Sequence, residues 1–317
     1  MSRRMVSMAV CIGGMPFSAW AQEVEPLPDG WSVVSVEHPI ESMDCNSEQV
    51  VMRSRDGTVQ RLIGTDLETL PSLPSDLGRG AGYGRHIAVD SKGQIYLVGR
   101  QLIAQWDGED WRALKGKDWS GEVWDITVLD TDRVVLLGSA RLGLIDGNRI
   151  RSFASPTWHD LSAISGTNIV DLWVVGLGGL VFHHTEEGWQ SIEPPSDRML
   201  SGVLPCGPGC VWAWDGSGVQ RWGGSHDEIW QWQAGEWHDR SLEEPPRRPQ
   251  LAMDGEKIWM VGSETVHQWD GETWTLVFTD QVFDPATYPN FVDVCLTDSM
   301  VVVAEGSQKG KLIIGPR

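Results

Sequence analysis

The adjacent pair His183-His184 offers the most obvious metal chemistry in this sequence, since imidazole is the commonest metal ligand. Neighbouring residues of a strand point to opposite faces, so the two rings should not share an ion. The carboxylates of Asp130-Thr131-Asp132 could serve calcium, but this stretch is more typical of a hairpin turn. The cysteines lack the paired C-x2-C spacing of a zinc site. The sequence therefore predicts no metal and no cofactor.

Catalytic signatures are also missing from the sequence, which contains no G-x-S-x-G elbow, H-E-x-x-H helix, Walker A loop or EF-hand loop. We assign no catalytic residue. The candidates for ligand binding are aromatic, basic and acidic residues in the stretches that lead into predicted innermost strands: Arg85, His86, Trp124, Trp158, His159, Asp160, Arg198, Arg248, Tyr288 and Asn290. Converging on one mouth, they would suit a sugar or a peptide, with stacking for contact area and polar groups for orientation. The alternative is a set of ordinary polar surface loops.

A repeated turn indicates the elements that position these residues. Gln268-Trp269-Asp270-Gly271-Glu272-Thr273-Trp274 has a near copy at 105–111 and a weaker one at 231–237. Asp-Gly between apolar runs is a strong hairpin signal, because Gly accepts positive φ. The Trp after each turn (Trp111, Trp189, Trp237, Trp274) is expected to seal neighbouring repeats rather than to bind a ligand.

Seven apolar runs follow one another at intervals of 38 to 47 residues, close to the ~40–45 residues of a four-stranded propeller blade. They begin at Val50, Ile95, Val134, Leu172, Val211, Ile258 and Val301. The last unit supplies only three strands before the sequence ends, and the isolated strand Trp31 to Val36 can provide its fourth. We therefore predict an all-β, seven-bladed propeller closed by its N-terminal strand, with six blades as the alternative.

The pattern Asp171-Leu172-Trp173-Val174-Val175-Gly176, then Gly179-Leu180-Val181-Phe182 and Gly188-Trp189, resembles the Trp-rich propeller repeats of secreted bacterial proteins, of Asp-box (BNR-like) or tectonin-like type. The resemblance covers nearly the whole chain after residue 21 and implies a fold. It carries over no sialidase or glycan-binding residue, because Gln268 stands two positions before Asp270, where the Asp-box motif has Ser.

The cysteines fit a closed ring in an oxidising compartment. Cys206 and Cys210 flank Gly-Pro-Gly and are expected to pair with each other. Cys45 and Cys295 occupy similar positions on the first and last blades, so a bond between them would staple the closure if their Cα atoms come within about 7 Å. The alternative for this second pair is two buried thiols.

The first 21 residues have the order of a signal peptide, with Arg3 and Arg4, an apolar run, and Ala19-Trp20-Ala21 as cleavage site. This gives residues 1–21 as signal peptide, residues 22–317 as the propeller, and export to the periplasm or beyond. Removing two arginines and no acid changes the net charge from −19 to −21. Such a charge argues against nucleic acid and anionic membranes as partners, and no later segment is apolar enough to insert in a membrane.

These observations favour an exported, non-enzymatic binding module whose partner is a protein or a cell-surface glycan. One alternative is a tectonin-like lectin, which would expose Trp124, Trp158 and Tyr288 at one mouth. The other is a glycan-directed hydrolase or lyase, which would bring His86, His159 and a carboxylate within hydrogen-bond reach over a pocket.

Overall fold

The computed structural model describes residues 27–74, 84–99, 102–114, 119, 122–138, 141–158, 161–216, 227–255, 257–279, 291–306 and 310–317. These residues form seven four-stranded antiparallel sheets, which confirms the predicted fold class. Each sheet is one blade, and in six of the seven the strands follow one another in the chain from the innermost to the outermost; the seventh takes its outermost strand from the N-terminal side of the chain.

The strands are numbered in chain order. Blade 1 is β2 (Ile40–Cys45), β3 (Gln49–Ser54), β4 (Val59–Ile63) and β5 (Asp66–Thr69); blade 2 is β6 (Gly84–Val89), β7 (Ile95–Gly99), β8 (Ile103–Trp106) and β9 (Trp111–Ala113); blade 3 is β10 (Val123–Val128), β11 (Val134–Gly138), β12 (Arg141–Asp146) and β13 (Arg149–Phe153). Blade 4 is β14 (Leu161–Asn168), β15 (Asp171–Gly176), β16 (Val181–Thr185) and β17 (Gly188–Ile192), with a short 3-10 turn, Leu177–Gly179, between β15 and β16.

Blade 5 is β18 (Gly202–Gly207), β19 (Cys210–Trp214), β20 (Ile229–Gln233) and β21 (Glu236–Asp239); blade 6 is β22 (Gln250–Asp254), β23 (Lys257–Gly262), β24 (Thr265–Trp269) and β25 (Trp274–Thr279); blade 7 is β26 (Phe291–Leu296), β27 (Met300–Glu305), β28 (Lys311–Pro316) and β1 (Ser32–Ser35). Every innermost strand contacts the innermost strands of both neighbouring blades, so the seven sheets form a closed ring.

The ring closes through the N-terminal strand, as predicted. β1 pairs antiparallel with β28, with Ser32 opposite Ile314 and Ser35 opposite Lys311. The chain then leaves blade 7 and begins blade 1 at β2. Because β1 occupies the outer edge of blade 7, that blade is a complete four-stranded sheet.

The core of the molecule lies between the blades. Seven clusters of buried apolar residues occur, one at each interface between neighbouring blades. The second strands contribute to the clusters on both of their sides: Met52 belongs to the cluster shared with blade 7, and Val51 to the cluster shared with blade 2. A strand buried on both faces must be apolar at successive positions, which explains the continuous runs in the sequence.

The repeated Asp-Gly turns have the geometry that their sequence predicts. Gly108 and Gly271 adopt φ of 108° and 107°, a region that favours glycine. Asp270 Oδ1 accepts the backbone N–H groups of Glu272 and Thr273 at 2.9 and 2.8 Å and so fixes the turn.

The Trp residues after these turns connect neighbouring blades through hydrogen bonds as well as apolar contact. Each indole Nε1–H donates to a backbone carbonyl just beyond the outer strand of the preceding blade, at 2.7 to 3.0 Å. The pairs are Trp111 with Pro71, Trp189 with Ala154, Trp237 with Glu193, and Trp274 with Arg240. Their scaffold role therefore includes holding the start of each loop between blades.

Both predicted cysteine pairs are bonded. Cys45 and Cys295 have a Cα–Cα distance of 6.0 Å and join the innermost strands of blades 1 and 7. Cys206 and Cys210 close the hairpin between β18 and β19. Ring closure thus has two components, the β1–β28 ladder at the rim and the Cys45–Cys295 bond at the centre.

Replacing both Cys45 and Cys295 by Ser should lower the free energy of unfolding by about 2–4 kcal/mol, because that bond closes a loop with a sequence separation of 250. The matched control is Cys206→Ser with Cys210→Ser, where the separation is 4 and the hairpin is already closed by its own ladder. Urea denaturation of both double variants measures the difference. An equal or larger loss in the control would show that the central bond does not support closure.

Candidate functional site

The seven innermost strands surround a central channel of about 520 Å³. In each blade, one residue of the innermost strand faces the channel and pairs with the same position of the second strand, the fourth counted from the start of its apolar run. The seven channel-facing residues therefore lie at one level. In blade order they are Ser42, His86, Asp125, Ala163, Gly202, Gln250 and Asp293. At this level the wall is polar on the side of blades 6, 7, 1, 2 and 3, whereas the innermost strands of blades 4 and 5 contribute Ala163 and Gly202.

Blade 5 departs from the pattern because Gly202 has no side chain. A Cβ built on Gly202 would lie 2.0 Å from the indole of Trp214, so the ring occupies the space that a side chain fills in the other blades. Trp214 is 5% exposed and lines the channel. The channel wall is therefore aromatic at blade 5.

Three aspartates on the wall join neighbouring blades. Asp293 Oδ2 accepts the N–H of Met43 at 3.1 Å, which links blade 7 to blade 1. One level deeper, Asp44 Oδ2 accepts the N–H of Val89 at 2.8 Å and links blade 1 to blade 2.

Asp125 makes the same kind of link between blades 3 and 4, since its Oδ2 accepts the N–H of Ile164 at 2.9 Å. Its other oxygen, Oδ1, accepts the N–H of Ile126 at 2.8 Å and lies 3.5 Å from His86 Nδ1. The aspartates are thus structural connectors, and one of them is also paired with a histidine.

The channel raises the pKa of all three carboxyl groups. Desolvation is the largest cause, and it raises the pKa of Asp44 and of Asp293 to about 7, against the opposing effect of the N–H donors. Mutual repulsion adds to this effect. The pKa of Asp125 is raised for the same main reason, with His86 acting to lower it. Protein surrounds each group, although Asp125 keeps 20% of its side-chain surface open to the channel.

Among the residues predicted to bind a ligand, His86 lies in the channel, and Trp124 and Trp158 lie on the end of the propeller where innermost strands begin. We call this end the upper face; it carries the loops between blades and the turns between second and third strands. Trp124 is 40% exposed and Trp158 is 92% exposed.

Two other candidates lie on the upper side of blades 5 and 6. Arg198 forms ion pairs with Asp215 and Glu228, each at 3.5 Å, so it ties the loop before β18 to the connection after β19. Arg248 has φ of 54°, and its backbone N–H donates to Asp227 Oδ2 at 2.8 Å. These arginines are therefore engaged with acidic residues of blade 5, Asp215, Glu228 and Asp227. The side chain of Arg85, and His159, Asp160, Tyr288 and Asn290, lie outside the described residues.

Two exposed apolar residues that were not predicted lie on the same upper face as these Trp residues. Leu177 is in the turn after β15 and Met199 is in the loop before β18, and the bond from Leu200 N–H to Gly176 O at 3.2 Å holds these two segments together. We call Trp124, Trp158, Leu177 and Met199 the upper patch. It comprises four of the eight large apolar side chains that are exposed in the described part of the chain, and it spans blades 3 to 5.

The histidine pair serves the scaffold. His183 Nε2 lies 2.9 Å from Asp171 Oδ1 and its ring stacks on Trp173 at 3.8 Å, whereas His184 Nδ1 lies 2.6 Å from the carbonyl of Ile169. The two rings have different partners, as the alternation of a strand predicts. The described residues contain no group of three or more His, Cys, Asp or Glu side chains placed to hold a metal ion.

The channel carboxylates make stability depend on pH. The pKa of Asp293 is about 7 in the folded protein, against an ordinary value of 3.8 for an unfolded chain. Between these two pH values the folded protein keeps a proton on this carboxyl group that the unfolded chain releases. Stability therefore falls as pH rises through this window, and the full penalty is present above pH 7. Asp293→Asn removes the charge and with it this penalty. The free energy of unfolding of the variant minus that of the parent protein should therefore be about 1–3 kcal/mol larger at pH 8 than at pH 5.

Urea denaturation at the two pH values measures this difference. The control is Asp270→Asn, because the N–H groups of Thr273 and Glu272 lower the pKa of Asp270 and keep it ionised throughout this range. Its effect should be the same at pH 5 and pH 8. An identical pattern for both variants would mean that Asp293 titrates normally.

Comparison with known proteins identifies the fold. No protein-family model and no curated protein sequence matches this chain. Among solved structures, it is similar to virginiamycin B lyase from Staphylococcus aureus (TM-score 0.68, 12% identity, 89% of this chain and 99% of that one). It is also similar to the WD40 β-propeller domain of Doa1 (0.64, 14%, 90% and 96%) and to YCF48 bound to D1 peptide (0.67, 13%, 93% and 98%). At these identities, the likeness establishes a propeller fold shared by enzymes and binding proteins.

Proposed function

We propose that this protein is an exported binding propeller that docks a protein or peptide partner on its upper face. The observation that carries the proposal is the upper patch, in which four exposed apolar side chains lie on three consecutive blades. The other four lie on outer strands or toward the opposite end, at Val33, Ile63, Val170 and Leu276. Exposed apolar side chains gathered on one face are typical of interaction sites.

The fold comparisons support an interaction role in general terms. The WD40 domain is a propeller, and the structure of YCF48 contains a bound D1 peptide. A propeller suits this role because the scaffold is fixed by the contacts between blades, while the loops of one face are free to vary. In this chain the indole hydrogen bonds of Trp111, Trp189, Trp237 and Trp274 hold the beginnings of four loops between blades.

Export is supported by the two disulfides, which persist in oxidising compartments. The basic, apolar and small-residue order of residues 1–21 fits a cleaved signal peptide. No helix among the described residues is long and apolar enough to cross a membrane.

The test is capture of partners by tagged protein from an extract of the organism that produces it. The patch variant combines Trp124→Ser, Trp158→Ser and Met199→Ser, and the control combines Val33→Ser and Leu276→Ser, which are exposed on outer strands. We expect a specific protein to be retained by the parent and the control, and at least ten-fold less of it by the patch variant. Equal recovery by all three would refute docking on the patch.

A lectin is the alternative within binding functions, because Trp124 and Trp158 are both exposed on the upper face. The same proteins applied to a glycan array separate the two classes. Glycan binding that Trp158→Ala abolishes would replace the protein partner by a carbohydrate. If folded protein binds no glycan on the array, the lectin alternative is rejected and the partner remains a protein or peptide.

An enzyme is the second candidate, favoured by the contact of His86 with Asp125 in the channel and by the fold shared with virginiamycin B lyase. A structure of that lyase contains quinupristin, which gives a concrete probe. For a binding propeller, we expect no loss of quinupristin over hours, as followed by liquid chromatography. Consumption that disappears in His86→Ala would favour the enzyme.

A further inference from the structure

A groove on the upper face lies beside Trp158, between the start of β12 and the loop that follows β13. Its volume is about 530 Å³, and its wall includes Arg141, Phe153, Ala154, Thr157 and Trp158. We call it the Trp158 groove. Most of its surface is apolar, and it is separate from the central channel. It is large enough for one bulky side chain with part of its backbone.

The loop that forms this groove is held in place before any ligand arrives. Ser155 Oγ donates to the carbonyl of Thr157 at 2.9 Å, which fixes the turn of the loop. The Trp189 indole donates to the carbonyl of Ala154 at 3.0 Å, so blade 4 fixes the loop where it leaves β13. Phe153 packs against the apolar cluster between blades 3 and 4. A preformed wall reduces the ordering entropy that binding would otherwise cost.

Trp158 itself is almost fully exposed at 92%, although it belongs to this ordered loop. An indole offers a large apolar face with only two rotatable side-chain bonds, which makes it an efficient contact residue. Nothing in the described part of the chain covers it. An apolar side chain that enters the groove would remove this ring from water.

The positive charge of Arg141 beside the groove indicates which group of the ligand lies next to that apolar side chain. Arg141 lines the groove, is exposed, and makes no ion pair with any described residue. In the same blade Arg151 is paired with Asp146 at 2.6 Å, whereas no described carboxylate lies within ion-pair distance of Arg141. Arg141 thus offers a guanidinium without a carboxylate partner among the described residues, at the wall of an apolar groove. Its planar fork matches a carboxylate in bidentate geometry.

We infer that the Trp158 groove binds an extended segment of the partner protein in which a bulky apolar residue is next to Asp or Glu. The apolar side chain enters the groove beside Trp158, and the carboxylate pairs with Arg141. This inference rests on the proposed binding function and adds the chemistry of the partner.

The test uses acetylated and amidated heptapeptides in a Gly/Ser background that differ only in their central pair: Phe-Glu, Phe-Lys or Ala-Glu. Fluorescence anisotropy with labelled peptides and the full-length protein gives the affinities. We expect Phe-Glu to bind at least about ten-fold more tightly than the other two, since it alone satisfies both the groove and the guanidinium. Comparable binding of Phe-Lys would overturn the inference, and so would no binding by any peptide.

Variants of the protein with reversed charge test the ion pair directly. Arg141→Glu should bind Phe-Lys better than Phe-Glu, and Trp158→Ala should lose the preference for Phe over Ala. The matched control is Arg149→Glu, an exposed arginine at the other end of β13 with the same change of charge. It should keep the preference of the parent protein. The same shift in Arg141→Glu and Arg149→Glu would reduce the effect to net charge and overturn the pairing.

A peptide with a Phe residue at a free C-terminus separates a terminal carboxylate from an acidic side chain. Tighter binding of that peptide than of Phe-Glu would overturn the assignment to Asp or Glu. The partner captured through the upper patch distinguishes this inference from the proposed function. If that partner is lost in the patch variant but retained by Arg141→Glu, docking on the upper face stands and the acidic segment does not.

Discussion

The architecture depends on one constraint, which is that the second strand of every blade is apolar on both faces. Such a strand cannot face water on either side, so each blade needs a neighbour on its left and on its right. A row of blades always leaves two faces uncovered, whereas a closed ring leaves none. The β1–β28 ladder and the Cys45–Cys295 bond are therefore placed at the one interface that chain connectivity alone does not hold.

Closure also creates the channel and its unusual chemistry. Seven innermost strands meet around a narrow space, so any carboxylate on the wall is surrounded by protein and by its counterparts on other blades. Asp44, Asp125 and Asp293 each accept a backbone N–H group from the innermost strand of a neighbouring blade. Desolvation raises their pKa while these bonds oppose the rise. The same residues thus hold blades together and make the interior of the ring sensitive to protons.

The fold could be predicted from sequence because its determinants are local. The Asp-Gly turn at Asp270, the apolar run at Leu172 and the isolated strand at Trp31 each define strands without reference to distant residues. The channel could not be predicted in this way. A shift in pairing near the start of β10 decides that Asp125 faces the channel, and no pattern in the sequence marks such a shift. The position of Trp214 over Gly202 likewise depends on packing between two strands.

The candidate site was predictable only in part for a similar reason. Exposed Trp158 belongs to a loop that does not repeat and exposed Trp124 lies at the start of β10, where such a loop enters the blade, which is where function was expected. Leu177 and Met199 come from a turn and a loop that are adjacent only in three dimensions, so a search among polar and aromatic residues missed them. The ion pairs of Arg198 also join segments that are distant in the sequence.

The pairing of β1 with β28 has a consequence for biogenesis. Among the strands of the propeller, β1 is synthesised first and its partner β28 is synthesised last, so the β1–β28 ladder can form only after all other strands have been made. Until then, blades 1 and 7 each present an uncovered apolar face and an unpaired edge, the features that promote aggregation of partly folded chains. β1 can therefore pair only after β28, the last strand of the propeller to be synthesised, is in place.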